Sequence, residues 1–136
     1  MKKKKNIIFL LALLLLPIIP SLLLSSSIKL QAPPPKFDPM RINVNNVKEG
    51  VLWLDARKPS KFTEKHISGA ILVDPKDWEN TLSSIFEAFE PGQTIVVYCN
   101  KGCAASRSVA TRLRKELGQV NIFYLEGGMD SWFNKK

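Results

Sequence analysis

Two cysteines four positions apart, Cys99 and Cys103, are the only thiols of this 136-residue chain. A disulfide between them would close so short a loop that it could not staple a fold. Zinc would need two further ligands, and the one histidine, His66, is far away in sequence. Neither a metal nor a cofactor is expected, so the two sulfurs serve reactivity or packing. Cys99 stands at the end of the strand-like run from Thr94 to Tyr98, and a helical pattern follows it closely. Between them lie Asn100, Lys101, Gly102, Cys103, Ala104 and Ala105. Such a loop is expected to lower the pKa of Cys99, because its N–H groups curl around the sulfur and the helix N-terminus adds positive potential. Lys101 adds a charge, and Gly102 permits the backbone angles of a cradle. The same donors would hold a small anion such as sulfate or thiosulfate. The plainer alternative is an inert cysteine buried at a strand end.

The elements that must position this loop can be read from hydrophobic spacing. The run from Val51 to Leu54, ending at Asp55, suits a strand covered on both faces, and Ala70 to Val73 is a second, short one. From Asp77 to Phe89, apolar side chains at Trp78, Leu82, Ile85, Phe86 and Phe89 predict an amphipathic helix, stopped by Pro91–Gly92. Ala105, Val109, Leu113 and Leu117 lie one per turn on the helix after the loop, which Gly118 closes. Val120 to Leu125 reads as a strand, Gly127–Gly128 as a turn, and Met129 to Phe133 as a last helical turn. Alternating strands and helices predict an α/β fold, a parallel sheet with helices on both faces. In such a sheet ligands bind beyond the carboxyl ends of the strands, which is where Cys99 lies.

Three motifs in order then resemble one family. Asp55–Ala56–Arg57 followed by His66–Ile67–Ser68–Gly69–Ala70 is similar to the rhodanese signature. Tyr98–Cys99, Gly102 and the helix from Ser106 to Leu113 resemble the rhodanese active-site loop, and Gly127–Gly128 with Trp132 resembles its closing motif. The resemblance runs from about Met40 to Phe133. It implies an α/β sheet and a persulfide carried on Cys99, with sulfane sulfur moving from a small anionic donor such as thiosulfate to cyanide or a thiol. Substrate would meet the loop from Asn100 to Ala105. One departure is plain: rhodanese loops commonly have six residues and often a basic or polar one before the helix serine, whereas this loop has seven and places Ala105 there. Related phosphatases and arsenate reductases with seven-residue loops need an arginine at that place for a bidentate clamp, so phosphatase chemistry is disfavoured. Arg107, two positions on, is expected to face elsewhere. Cys103 reads either as a resolving thiol that attacks an oxidised or persulfidic Cys99, or as packing. Asp55, Arg57, His66 and Gly69 are expected to be structural. The rival functions are a non-catalytic binding module on the same fold and a Cys99/Cys103 redox protein.

Ahead of the domain, Lys2 to Lys5 precede an apolar run from Ile7 to Leu24. Residues 1–27 read as a signal peptide or a membrane anchor, residues 28–39 as a Pro-rich linker, and residues 40–136 as the rhodanese-like domain. The lysines should stay cytoplasmic, which places the domain on the far side of the membrane, or free of it if the leader is cut. There an exported thiol protein could serve as partner. Of the formal charge of +8, half comes from the leader lysines. What remains is too diffuse for a nucleic-acid surface.

Overall fold

The computed structural model describes residues 37–119 and 121–135. Their core is built on two strands without a polar face. β2 (Leu52–Asp55) and β4 (Ile95–Tyr98) are buried at every position, as continuous apolar runs must be when both faces of a sheet are covered. With β1 (Arg41–Ile42), β3 (Ile71–Leu72) and β5 (Ile122–Leu125) they form a five-stranded sheet of order β1-β5-β4-β2-β3. Every pairing is parallel, with Leu52 opposite Ile95 and Ile95 opposite Ile122 in register. β4 is therefore the central strand, and Cys99 leaves the sheet at the middle of its carboxyl end.

Alternation along the strands sorts side chains to two cores. Leu52, Leu54, Ile95, Val97 and Ile122 face α2 (Trp78–Ala88) and α3 (Ala105–Leu117), which contribute Ile85, Val109, Ala110 and Leu113. Trp53, Val96, Tyr98 and Leu125 face the opposite way. They are covered there by Val44 of a 3-10 turn (Val44–Asn46) and by Met129 and Trp132 of α4 (Gly128–Phe133). Trp132 packs edge-on against Trp53, with ring centroids 4.7 Å apart. The expected parallel sheet with helices on both faces is thus present. α3 ends at Gly118, whose φ of 62° lets its N–H turn back to the Arg114 carbonyl.

Several details differ from the sequence reading. The strand expected over residues 70–73 is only Ile71–Leu72, and the one expected from Val120 begins at Ile122. A helix not foreseen, α1 (Pro59–Glu64), buries none of its residues, so no apolar period marks it. The leader expected over residues 1–27 lies outside the described residues, as does most of the linker expected over 28–39. Among the described residues no helix is long and apolar enough to cross a membrane. Asp38, two positions before the expected domain boundary, already belongs to the fold. Its Oδ1 accepts the Met40 N–H at 3.0 Å and its Oδ2 accepts the Tyr124 hydroxyl at 2.9 Å.

Candidate functional site

Cys99 is 1% exposed, yet its sulfur faces the loop that follows. Residues 100–103 make a tight turn, the Cys103 N–H donating to the Asn100 carbonyl at 3.1 Å, with Gly102 at φ 75°. That turn aims carbonyls inward. Cys99 Sγ lies 3.3 Å from the Asn100 oxygen and 3.1 Å from the Cys103 oxygen, and is 3.3 Å from the Ser106 hydroxyl. A protonated thiol suits such acceptors, whereas a thiolate suits only the Ser106 groups. Burial pushes the Cys99 pKa up; the Ser106 hydroxyl and N–H pull it down, but not enough. The lowered pKa expected from the sequence is therefore not found. The physical reason is that the loop donates few N–H groups to the sulfur. One of those expected, the N–H of Ala105, goes instead to Cys103 Sγ at 3.4 Å.

The floor of the loop comes from the end of the chain. The Met129 N–H donates to the Cys99 carbonyl at 2.9 Å. Gly128, at φ 64°, lies so close that an added Cβ would stand 2.3 Å from that same oxygen. Above the sulfur opens a cavity of about 320 Å3. Cys99, Asn100, Gly102, Cys103 and Ala104 line it, but Lys101 and Ala105 do not, contrary to expectation. Its charged lining is Arg41, Arg107 and Glu126, with Ser106 beside the thiol. Arg41 pairs with Glu126 at 3.6 Å, and Arg107 with Asp38 at 3.1 Å. Arg107 was expected to face elsewhere. Its place in the first turn of α3 instead brings it to the cavity rim.

The sequence profile of the rhodanese-like domain matches residues 41–135. The chain belongs to the rhodanese-like domain family. A curated relative, the thiosulfate sulfurtransferase PspE of Escherichia coli strain K12, is 26% identical over 70 residues, which is 52% of this chain and 64% of that protein. The match thus spans less than two thirds of the relative. The crystal structure of the BH2092 protein from Bacillus halodurans superposes with a TM-score of 0.55 at 20% identity. That alignment covers 71% of this chain and 73% of the other, and it shows the fold. A rhodanese-like domain protein from Staphylococcus aureus gives a TM-score of 0.49 at 20% identity, over 68% of this chain and 89% of its own.

In this rhodanese-like domain the remaining signature residues sit behind the loop. Asp55 and Arg57 form a buried ion pair: Arg57 Nη2 is 2.6 Å from Asp55 Oδ2 and also donates to the Lys65 carbonyl at 2.6 Å. The carboxylate raises the Arg57 pKa further. Arg57 also lies over the Tyr98 ring, 5.5 Å from its centroid. The Tyr98 hydroxyl accepts the buried Ile67 N–H at 3.1 Å, and burial pushes the phenol's pKa far up. The segment after α1 is thereby tied to the strand that carries Cys99. Gly69, at φ 76°, occupies the turn closed by the Ala70 N–H on the Ile67 carbonyl. His66 is exposed, and its Nδ1 lies 2.9 Å from the Phe62 carbonyl, to which an Nδ1–H donates. It does not line the cavity. Cys103 is exposed and both cysteines are free; to resolve Cys99 its sulfur would have to leave the Ala105 N–H. Sequence reasoning placed Ser106 at the helix start but gave it no role at the site, and it passed over Arg41; a serine early in the first turn after a reactive loop was a usable signal.

Proposed function

We propose that the domain is a sulfurtransferase that carries sulfane sulfur as a persulfide on Cys99. The observation that carries this reading is the Cys99 thiol at the base of an open cavity, 3.3 Å from the Ser106 hydroxyl, with Arg41 and Arg107 on the lining. The thiol first loses its proton to solvent, and the Ser106 hydroxyl and N–H stabilise the thiolate. The thiolate attacks the outer sulfur of a thiosulfate-like donor. A new S–S bond forms, the donor's S–S bond breaks, and sulfite leaves with the electron pair. Cyanide or a thiolate then attacks the terminal sulfur of the persulfide, and the Cys99 thiolate departs with its pair and regains a proton. The kinship with a thiosulfate sulfurtransferase supports this choice of chemistry. Incubated with thiosulfate or a polysulfide, the protein should gain the mass of one sulfur, and Cys99→Ser should not. Absence of any gain with every sulfane donor would replace this reading with a non-catalytic binding module. That alternative draws on the carbonyls of Asn100 and Cys103, which lie 3.3 and 3.1 Å from the sulfur and suit a thiol rather than a thiolate.

Export is part of the same proposal. The lysine block and apolar run of residues 1–27 would carry the domain across a membrane. A phosphatase reporter fused after Lys136 should be active only outside the cytoplasm. Activity of a cytoplasm-restricted reporter in that position would refute the placement.

A further inference from the structure

We propose that Arg107, positioned by Asp38, recognises the anionic group of the sulfur donor. On this reading donor charge is read from α3 and from the segment ahead of β1, and not from the Cys99 loop. The inference rests on the sulfurtransferase reading and deepens it by assigning the residue that reads the donor's charge.

The loop is a poor anion reader. Lys101 and Ala105 do not line the cavity, and two loop carbonyls lie within 3.3 Å of the sulfur. Positive charge in the cavity lining comes from Arg41 and Arg107. These two are not equivalent. Glu126, which pairs with Arg41, itself lines the cavity and offsets that charge where a ligand would sit. Asp38, which pairs with Arg107, does not line it. The Arg107 side chain thus borders the cavity, and its partner carboxylate does not.

The support is built rather than incidental. Asp38's side chain is 15% exposed against 64% for Arg107, and both its oxygens are already fixed by the Met40 N–H and the Tyr124 hydroxyl. Those two donors, with the nearby arginines, hold its carboxyl below the usual carboxylate range, so it stays charged. Arg107 Nη2 forms an ion pair with Asp38 Oδ2 at 3.1 Å, and the guanidinium carries N–H donors in a planar fork that matches a sulfonate edge. When Cys99 takes the outer sulfur and the donor's S–S bond breaks, the electron pair stays on the departing sulfite. An arginine facing that oxyanion stabilises charge as it accumulates.

The test compares two donors on the full-length chain. Wild type, Arg107→Gln, Arg107→Lys and Asp38→Asn are reacted with thiosulfate and, separately, with a neutral dialkyl tetrasulfide; intact mass follows the Cys99 persulfide from the first and, from the second, the Cys99 alkyl trisulfide formed as the central S–S bond breaks and an alkyl persulfide anion leaves. In Arg107→Gln, loading from thiosulfate should fall by at least about tenfold more than loading from the tetrasulfide, as expected for one lost charge-assisted hydrogen bond. Asp38→Asn should shift the ratio the same way but less, and Arg107→Lys should recover part of it. Equal losses with both donors would mean a structural effect and overturn the proposal, as would an unchanged thiosulfate rate. A wild type that reacts with the tetrasulfide but not with thiosulfate overturns the proposal while leaving the reactivity of Cys99 toward sulfane sulfur. A wild type that loads from neither removes the sulfurtransferase reading itself.

Discussion

The Cys99 sulfur is poised as a thiol, and its environment says how reactivity must depend on pH. Burial raises its pKa, and the Ser106 hydroxyl is the largest influence opposing that rise. Below its pKa the thiolate fraction falls tenfold with each pH unit, so a raised pKa keeps reactivity climbing into a pH range where an ordinary thiol has levelled off. In a Cys103→Ser background, which leaves one cysteine to label, the alkylation rate should therefore keep rising beyond about pH 8.5, the ordinary thiol pKa. Ser106→Ala removes a donor that favours the thiolate, and the inflection should move upward. A stopped-flow or mass-based rate profile checks both; an unmoved inflection would mean that Ser106 does not act on the sulfur. At this scale the sequence was half legible. It marked Cys99 by position, but the direction of its pKa depended on how deeply the fold buries the sulfur. A residue string does not say how far a thiol at a strand end sinks beneath the loop that follows it.

At the scale of elements, the loop is held from beneath and from the side. Gly128 sits where any Cβ would collide with the Cys99 carbonyl, at a φ that side chains avoid. Gly128→Ala should cost about 1–3 kcal/mol and slow persulfide loading in the protein that remains folded. A urea titration paired with intact-mass loading separates the two effects, and an unchanged loading rate would show that the floor does not shape the site. The Asp55–Arg57 pair belongs to a different task. Both side chains are buried, and Arg57 spans from β2 to the Lys65 carbonyl. Arg57→Met strands a carboxylate and should destabilise the fold by about 3–5 kcal/mol. Denaturant unfolding checks this. Sequence reading recovered the elements with apolar periods, α2 and α3, and the solidly apolar strands β2 and β4. It missed α1 because Pro-Ser-Lys-Phe-Thr-Glu buries nothing and carries no period, although Pro59 at its start is a favoured first helical residue. It also turned Arg107 the wrong way. Counting along a helix gives faces but not which end abuts a cavity.

In the whole molecule, the central place of β4 explains why the motifs lie so far apart in sequence yet converge. Its neighbours are β2 on one side and β5 on the other. The loops after these strands, carrying Arg57, Cys99 and Gly127, thus emerge side by side at one end of a parallel sheet. That convergence was legible in outline from the alternation of strands and helices. The contribution of the segment ahead of β1 was not, because Asp38 lies in a Pro-rich stretch with no pattern of its own. It is recruited by Tyr124, far along the chain.

The bond from Met129 to the Cys99 carbonyl also sets an order of events during synthesis. Asp38 and Arg41 leave the ribosome first, Cys99 well after them, and Gly128 and Met129 last. A nascent chain that has reached Leu125 holds a thiol whose loop has no floor, and β1 can join the sheet only through β5, its one partner strand among the described residues. Contacts this distant in sequence form late, because the chain between them must first be ordered. The sulfur is therefore least shielded while the protein is still being made, and the last-made glycine pair completes the floor of its loop.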